Sequence, residues 1–379
     1  MKTLVILSIF IGFYTIGYTQ TINGTIIHDG IVRTYKLYVP AIYSGNVPVP
    51  LLLNFHGYTS NSNEQMFYGD FRNIADTANF LVVHPQGTLD NTNTTHFNVG
   101  WGGSSVDDVG FTEALLDSLS AAYSIDQNRI YAVGMSNGGF MSFRLACELS
   151  NKIAAVGSVT GSMTPSTLGD CNASHPMPII QIHGTTDPTV PYNGSAGWTA
   201  SITNVLNHWA TFNNCSPVPT VVNVPNTNVL DGSTVEKYTY ENGDNCSEVV
   251  HYKVTNGQHT WPGSIFNFAG TNNDINASVE IWNFLSRYDI FGLITCNPAN
   301  IDEQFGIVDF QVFPIPCSES LHVDLKIAES SLYEIYSLYG QLLKSGYISL
   351  NSNEIDLSDF QPQGYLLKIG GRYQRFIKL

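Results

Sequence analysis

Positive charge is scarce in this 379-residue chain: 16 Lys and Arg stand against 31 Asp and Glu, a formal net charge of −15. A surface of that sign repels phosphate backbones and anionic lipids, which argues against nucleic acid as a partner. Charge of either sign is sparse, at 12% of residues against 43% hydrophobic, so nothing suggests disorder and the chain can bury a sizeable core and more than one domain. Long apolar runs are lacking as well. The run at residues 4–16, behind Lys2 and ahead of Gly17 and Thr19, is too short for a bilayer and has the layout of a cleaved secretory signal, placed at residues 1–19. No integral membrane span and no internal repeat is expected. The 6 cysteines all lie downstream of that signal without C-x-x-C spacing, so thiolate metal binding is not expected; disulfides are, with fifteen pairings open.

What the chain does have is β-α alternation from residue 22 to residue 290. A hairpin at residues 25–28 and 32–39 precedes a buried strand at 51–56, a helix at 71–79, a strand at 80–84 and a helix at 108–123. Strands follow at 154–159 and 179–183, a helix at 196–212, strands at 235–240 and 249–254, and a closing helix at 275–288. The order predicts a doubly wound, mostly parallel sheet, with chemistry at the carboxyl ends of its strands. Residues 294–310 read as a linker between this domain, 20–293, and a C-terminal segment, 311–379, of short strands separated by turn residues. Strands at 321–327, 332–337, 347–350, 365–369 and 375–378 suit a small β-sandwich.

The segment 129–149 holds an apolar strand run, then Gly134-Met-Ser136-Asn-Gly138, then an unbroken helical pattern. This is the order of a nucleophile elbow, where small residues let a serine sit on a sharp strand-to-helix turn, and Ser136 is the candidate nucleophile. A serine hydroxyl needs an imidazole base, a carboxylate to orient it and donors for the oxyanion. In the α/β-hydrolase arrangement these follow in the order Ser, acid, His. Asp187, in Gly184-Thr-Thr-Asp187-Pro-Thr-Val-Pro191-Tyr192 after a strand, is the candidate acid, the alternative being an ordinary Asp-Pro turn. His259, in Asn256-Gly-Gln-His259-Thr-Trp261-Pro-Gly263, is the candidate base. His56 and His183 also end strands near the cleft, and chain order excludes them as the base. Asn137 N–H and Tyr58 N–H, the latter beyond Gly57, are the candidate oxyanion donors. Trp101 and Trp261 are candidates for an aromatic wall, or else core filler.

With these residues in view, residues 34–291 resemble the secreted polyhydroxybutyrate depolymerase-like and feruloyl esterase-like group, related to carbohydrate esterase family one. The matching pieces are Phe55-His-Gly57, Val106-Asp-Asp-Val-Gly-Phe111, Gly134-Met-Ser-Asn-Gly-Gly139, His183-Gly-Thr-Thr-Asp-Pro-Thr-Val-Pro-Tyr192 and His259-Thr-Trp-Pro-Gly263. Members usually carry Gly-Gly before the histidine, where this chain has Gly257-Gln258. The resemblance implies an α/β-hydrolase fold, a triad of Ser136, Asp187 and His259, no cofactor, and disulfides Cys215–Cys246 and Cys147–Cys171, leaving Cys296 and Cys317 around the linker. The last segment, with Gln311-Val-Phe-Pro-Ile-Pro316 and the terminal Arg375-Phe-Ile-Lys-Leu379, resembles a type IX secretion C-terminal sorting domain, with Pro-Ile-Pro for the usual Pro-Asn-Pro. It contains no tryptophan, against a carbohydrate-binding module. The partners implied are the type IX secretion machinery and a polymer-linked ester substrate, met outside the cell or at its outer surface. The expected reaction is hydrolysis of feruloyl or acetyl esters of plant polysaccharide, with polyhydroxybutyrate or polyester as the alternative. Peptidases and acyltransferases share the fold, and a non-catalytic binding protein of that fold is a further alternative.

Overall fold

The computed structural model describes residues 19–296, 310–325, 331–337, 342–349, 353–369 and 372–379. The expected secretory signal, apart from Thr19, and most of the expected linker therefore lie outside the described residues. The described chain falls into two compact units, 19–296 and 310–379.

In the first unit the strands of the main sheet are β1 (Gln20–His28), β2 (Ile31–Val39), β3 (Val49–Phe55), β4 (Leu81–Pro85), β5 (Ile125–Met135), β6 (Ala155–Val159), β7 (Ile179–Gly184), β8 (Thr220–Asn223), β9 (Thr234–Tyr240) and β10 (Val249–Thr255). They form one sheet in the order β1-β2-β4-β3-β5-β6-β7-β10-β9-β8. From β4 across to β10 every pairing is parallel. At either end the pairings turn antiparallel: β1–β2, β8–β9 and β9–β10 join successive strands, and β2 runs antiparallel to β4. Its helices are α1 (Ser62–Tyr68), α2 (Arg72–Ala78), α3 (Asp108–Ala122), α4 (Asn137–Glu148), α5 (Pro165–Asp170), α6 (Ile202–Phe212) and α7 (Ala277–Leu285).

The two-residue period of the central strands sorts their side chains into two cores. Leu51, Leu53, Phe55, Leu81, Val83 and Ala132 pack on one face with Phe111 and Leu115 of α3, Phe140 and Phe143 of α4, and Trp209 of α6. Leu52, Val82, Tyr131, Val133, Ile180 and Ile182 pack on the other with Ala75 of α2 and Ile281, Trp282 and Leu285 of α7. Burial on both faces explains why these strands are continuously apolar.

Several boundaries differ from the sequence reading because a capping side chain sets them. Ser201 accepts from Asn204 N–H and starts α6 six residues later than periodicity suggests. Asn276 accepts from Val279 N–H and starts α7. Elements absent from that reading include α1, capped by Asn61 accepting from Asn63 and Glu64 N–H, the short α5 and the exposed edge strand β8.

Of the two disulfides expected, Cys147–Cys171 is formed, with Cα atoms 4.9 Å apart. Cys215–Cys246 is not: Cys246 joins Cys296. Asn245 and Cys246 adopt positive φ in a turn against which Gly292 packs, bringing the segment carrying Cys296 within bonding reach. Cys215 stays a buried thiol, its proton affinity pushed up to about 11 by burial, and Cys317 is likewise free and buried. The Cys147–Cys171 bridge spans 24 residues. By loop-closure entropy the double substitution Cys147→Ala and Cys171→Ala should cost about 3 kcal/mol, read as a lower denaturant midpoint.

The second unit contains β11 (Phe310–Phe313), β12 (Ser320–Leu325), β13 (Ser331–Ser337), β14 (Leu342–Ile348), β15 (Glu354–Asp356), β16 (Gly364–Ile369) and β17 (Arg372–Ile377). They make a three-stranded sheet, β11-β12-β15, and a four-stranded sheet, β14-β13-β16-β17, antiparallel throughout. Phe310, Leu321 and Val323 of one and Ile335, Leu367 and Phe376 of the other share a core, as a small sandwich requires. The strand expected at residues 347–350 lies instead at Leu342–Ile348, and β11 and β15 are additional.

Candidate active site

Ser136 stands between β5 and α4 at φ 54° and ψ −118°, backbone that a side-chain-bearing residue adopts at a cost of about 1–3 kcal/mol. Close packing imposes it. A Cβ on Gly138 would collide with the carbonyls of Phe55 and His56, and one on Gly139 with Ser158 and Gly161. The elbow is pinned to β6 by the Ser136 N–H, which donates to Val159 O at 2.8 Å. Ser136 keeps 8% of its surface accessible and lines a cavity of about 480 Å³.

Asp187 follows β7 and His259 follows β10, two neighbouring parallel strands whose carboxyl ends open on the same side. Asp187 Oδ1 accepts from Thr189 N–H at 2.8 Å and Val190 N–H at 2.9 Å. Its Oδ2 lies 2.8 Å from His259 Nδ1. A carboxylate only accepts, so His259 carries its proton on Nδ1 and leaves Nε2 free as a base. His259 lines the cavity with Ser136. Burial alone raises the Asp187 carboxyl, but the hydrogen bonds from His183 and His259 outweigh it and hold the group well below the usual carboxylate range. His183, the rival base by position, is fully buried and outside the cavity lining.

On the opposite side, Gly57 and Tyr58 line the cavity. His56 Nε2 accepts from Gly87 N–H at 2.9 Å, so its proton is on Nδ1, which donates to Gly57 O at 2.7 Å. Burial lowers the His56 pKa to about 4 and keeps the ring neutral. In a trans peptide the N–H points away from the C=O, so anchoring Gly57 O turns the Tyr58 N–H the other way. Asn137 N–H is the first unpaired donor of α4. The Asn137 side chain is clamped to the backbone of Phe97, accepting at 2.7 Å and donating at 3.0 Å.

The two tryptophans are not in the cavity lining. Trp261 is 1% exposed, donates from Nε1 to Ser278 Oγ at 3.2 Å and packs edge-on against Phe71, so it anchors the His259 loop to the core. Trp101 packs against Phe140, Trp198 and Tyr58, one layer behind the cavity. The aromatic surface comes from residues the sequence reading passed over. Phe67 and Tyr68 of α1 line the cavity with Phe266 and Phe268 of the loop after His259, and Ser264 Oγ donates to Tyr68 O at 3.0 Å. Tyr68, Phe266 and Phe268 lie nearly parallel, their ring centres 6.0–6.4 Å apart. The spacing Asn61-x-x-Glu64, a helix-start signal, could have revealed α1. Nothing local could have paired it with residues two hundred positions away.

Among the described residues, His28, Asp29 and Asp107 bring possible ligand atoms within 4.8 Å of one another. Both carboxylates are exposed, Asp107 caps α3, and none of the three lines the cavity.

Residues 108–216 match the phospholipase/carboxylesterase family model, a segment containing Ser136 and Asp187, and residues 311–378 match the secretion system C-terminal sorting domain. The chain is 27% identical over 278 residues to the bifunctional acetylxylan esterase/xylanase of Neocallimastix patriciarum, covering 73% of this chain and 36% of that protein. It is 27% identical over 281 residues to feruloyl esterase D of Neurospora crassa, covering 71% and 86%, and 29% identical over 190 residues to feruloyl esterase B of Piromyces equi, covering 48% and 35%. The chain thus spans only about a third of the first and last of these relatives. The sorting domain addresses the protein to the type IX machinery and so to the outside of the cell. Sheet topology and the strand-to-helix elbow give this chain the α/β-hydrolase fold, and by sequence it is similar to feruloyl and acetylxylan esterases, with a C-terminal segment matching the secretion sorting domain.

Proposed function

We propose that the protein is a secreted serine esterase that hydrolyses esters of aromatic acids, feruloyl esters of plant polysaccharide being the natural class. Ser136 Oγ attacks the ester carbonyl carbon as His259 Nε2 takes its proton, with Asp187 holding the ring through Nδ1. The carbonyl oxygen becomes the oxyanion, received by the N–H groups of Asn137 and Tyr58. The tetrahedral species collapses as His259 returns the proton to the leaving alkoxy oxygen, releasing the alcohol. Water, deprotonated by His259, then cleaves the acyl-enzyme, freeing the acid and Ser136. The reaction calls on no cofactor.

The parallel shelf of Tyr68, Phe266 and Phe268 carries the substrate assignment. These rings line the same cavity as Ser136 and His259, and Phe266 and Phe268 are 42% and 58% exposed. Open aromatic faces beside a nucleophile suit a flat aromatic acyl group, which an acetyl group cannot exploit. Phe268→Ala and Tyr68→Ala should each lower kcat/KM for methyl ferulate about tenfold, with p-nitrophenyl acetate changed less than about twofold. Equal losses on both substrates would remove the shelf from substrate recognition and shift the reading to short aliphatic or hydroxyalkanoate esters.

A further inference from the structure

His183 is buried, is not part of the proposed triad and touches its acid. Gln181 and His183 project from the same face of β7, two residues apart. The Gln181 side-chain nitrogen lies 2.9 Å from Gly161 O, a group that only accepts, which identifies that end as the NH2. The same nitrogen lies 3.1 Å from His183 Nδ1, so Nδ1 accepts and the His183 proton is on Nε2. That proton is directed to Val190 O at 2.9 Å, with Asp187 Oδ2 at 3.4 Å. Oδ2 is the oxygen that receives His259 Nδ1.

We propose that His183 is a positioning residue: its Nε2–H, locked in one tautomer by Gln181, holds Asp187 and the Val190 carbonyl together and so sets the direction and strength with which Asp187 acts on His259. The inference rests on the triad reading above. Two backbone N–H groups hold Oδ1, and the two imidazoles share Oδ2. Without the His183 donor, Asp187 loses its hold on one side and concentrates more charge toward His259. A stronger negative field favours the His259 imidazolium, so the acid limb of the pH–rate profile moves to higher pH, while poorer alignment lowers the plateau. The other ionisable groups facing this assembly are Tyr192, its ring 5.9 Å from that of His183, His251 of β10, and Glu64 of α1 across the cavity. All three remain unchanged in the variants.

The test compares the full chain with H183M, which loses the donor, and H183Q, which retains an N–H at about the same reach. The substrate is p-nitrophenyl acetate, so the result does not depend on the acyl preference. H183M should lose roughly 10- to 100-fold in kcat with KM within about twofold, and its acid limb should rise by about half a unit. H183Q should recover most of both. A folded H183M with wild-type kcat and acid limb, or an H183Q as impaired as H183M, overturns the proposal. Where H183M does not fold, Q181M, which frees the tautomer, should show the same shift at smaller size, and its absence counts against the proposal equally. Ser136→Ala in the same series separates the two readings: hydrolysis surviving that change removes the triad. The 15N-histidine spectrum of the wild type then still decides the clamp, which requires His183 to carry its proton on Nε2 only.

Discussion

Ser136→Ala is expected to lower kcat for ester hydrolysis on the order of 10⁵-fold, with the protein still folded and substrate still bound. Removing a nucleophile leaves the oxyanion donors and the cavity in place, so a residual rate above that of water should persist. Alanine keeps a Cβ, so the positive-φ backbone of the elbow is no more strained than before, and no loss of stability should accompany the loss of activity. His259→Ala should cost about as much, and Asp187→Asn about 10⁴-fold, because an amide in place of the carboxylate favours the wrong imidazole tautomer. Pairing Ser136→Ala with His259→Ala should add little to either, since the two act as one device. Hydrolysis that survives Ser136→Ala undiminished, or three single losses that multiply in combination, would remove these residues from the chemistry. A serine-directed fluorophosphonate offers an independent reading, expected to label Ser136 alone and to fail on the His259 variant.

The second large effect concerns stability against acid. His56, His84 and His251 are completely buried, and burial lowers their pKa values to about 4, about 3 and about 3. In the unfolded chain each returns to its ordinary value near 6.5, so below that pH the unfolded state binds protons the folded state refuses. Stability therefore declines as pH falls through about 6.5 toward the folded values. Between pH 7 and pH 5 each histidine contributes a loss of about 2 kcal/mol, about 6 kcal/mol together. Asp187 has the opposite kind of shift, a depressed carboxyl, and its contribution disappears only near and below about 3.9, outside that window. All 5 tryptophans lie in the first unit, so denaturant unfolding followed by tryptophan fluorescence reports that unit without interference from the second. The midpoint should drop markedly from pH 7 to pH 5. An unchanged midpoint would mean that these histidines are protonated at no cost in the native state.

Much of this follows from short stretches of chain. The elbow is local: Gly134, Gly138 and Gly139 are needed because backbone and side chains approach within contact distance there, and strand before and helix after are set by periodicity in the flanking residues. The order of Ser136, Asp187 and His259, each beyond a strand of a mostly parallel sheet, places their loops at the carboxyl ends of the strands by topology alone. The two-sided apolar strands and the alternating short strands of the second unit are likewise written in residue order.

Other features depend on which distant segments meet. Trp261, two residues beyond His259, looks equally suited to a cavity wall or a core; packing against Phe71 and Ser278 turned it inward. Cys246 has partners upstream and downstream, and the turn at Asn245, closed against Gly292, brought it to Cys296 rather than Cys215. The seven-residue α1 is too short for a periodic signal, yet it supplies Phe67 and Tyr68, while Phe266 and Phe268 arrive from the far end of the domain. Residue order thus dictated the sheet, the elbow and the chain order of the candidate triad, because each rests on the pattern of neighbouring residues or on the order of the strands. The direction of each large side chain, the cysteine pairing and the aromatic shelf were left to tertiary contacts, because a side chain's exposure depends on what packs over it, and that partner lies elsewhere in the chain.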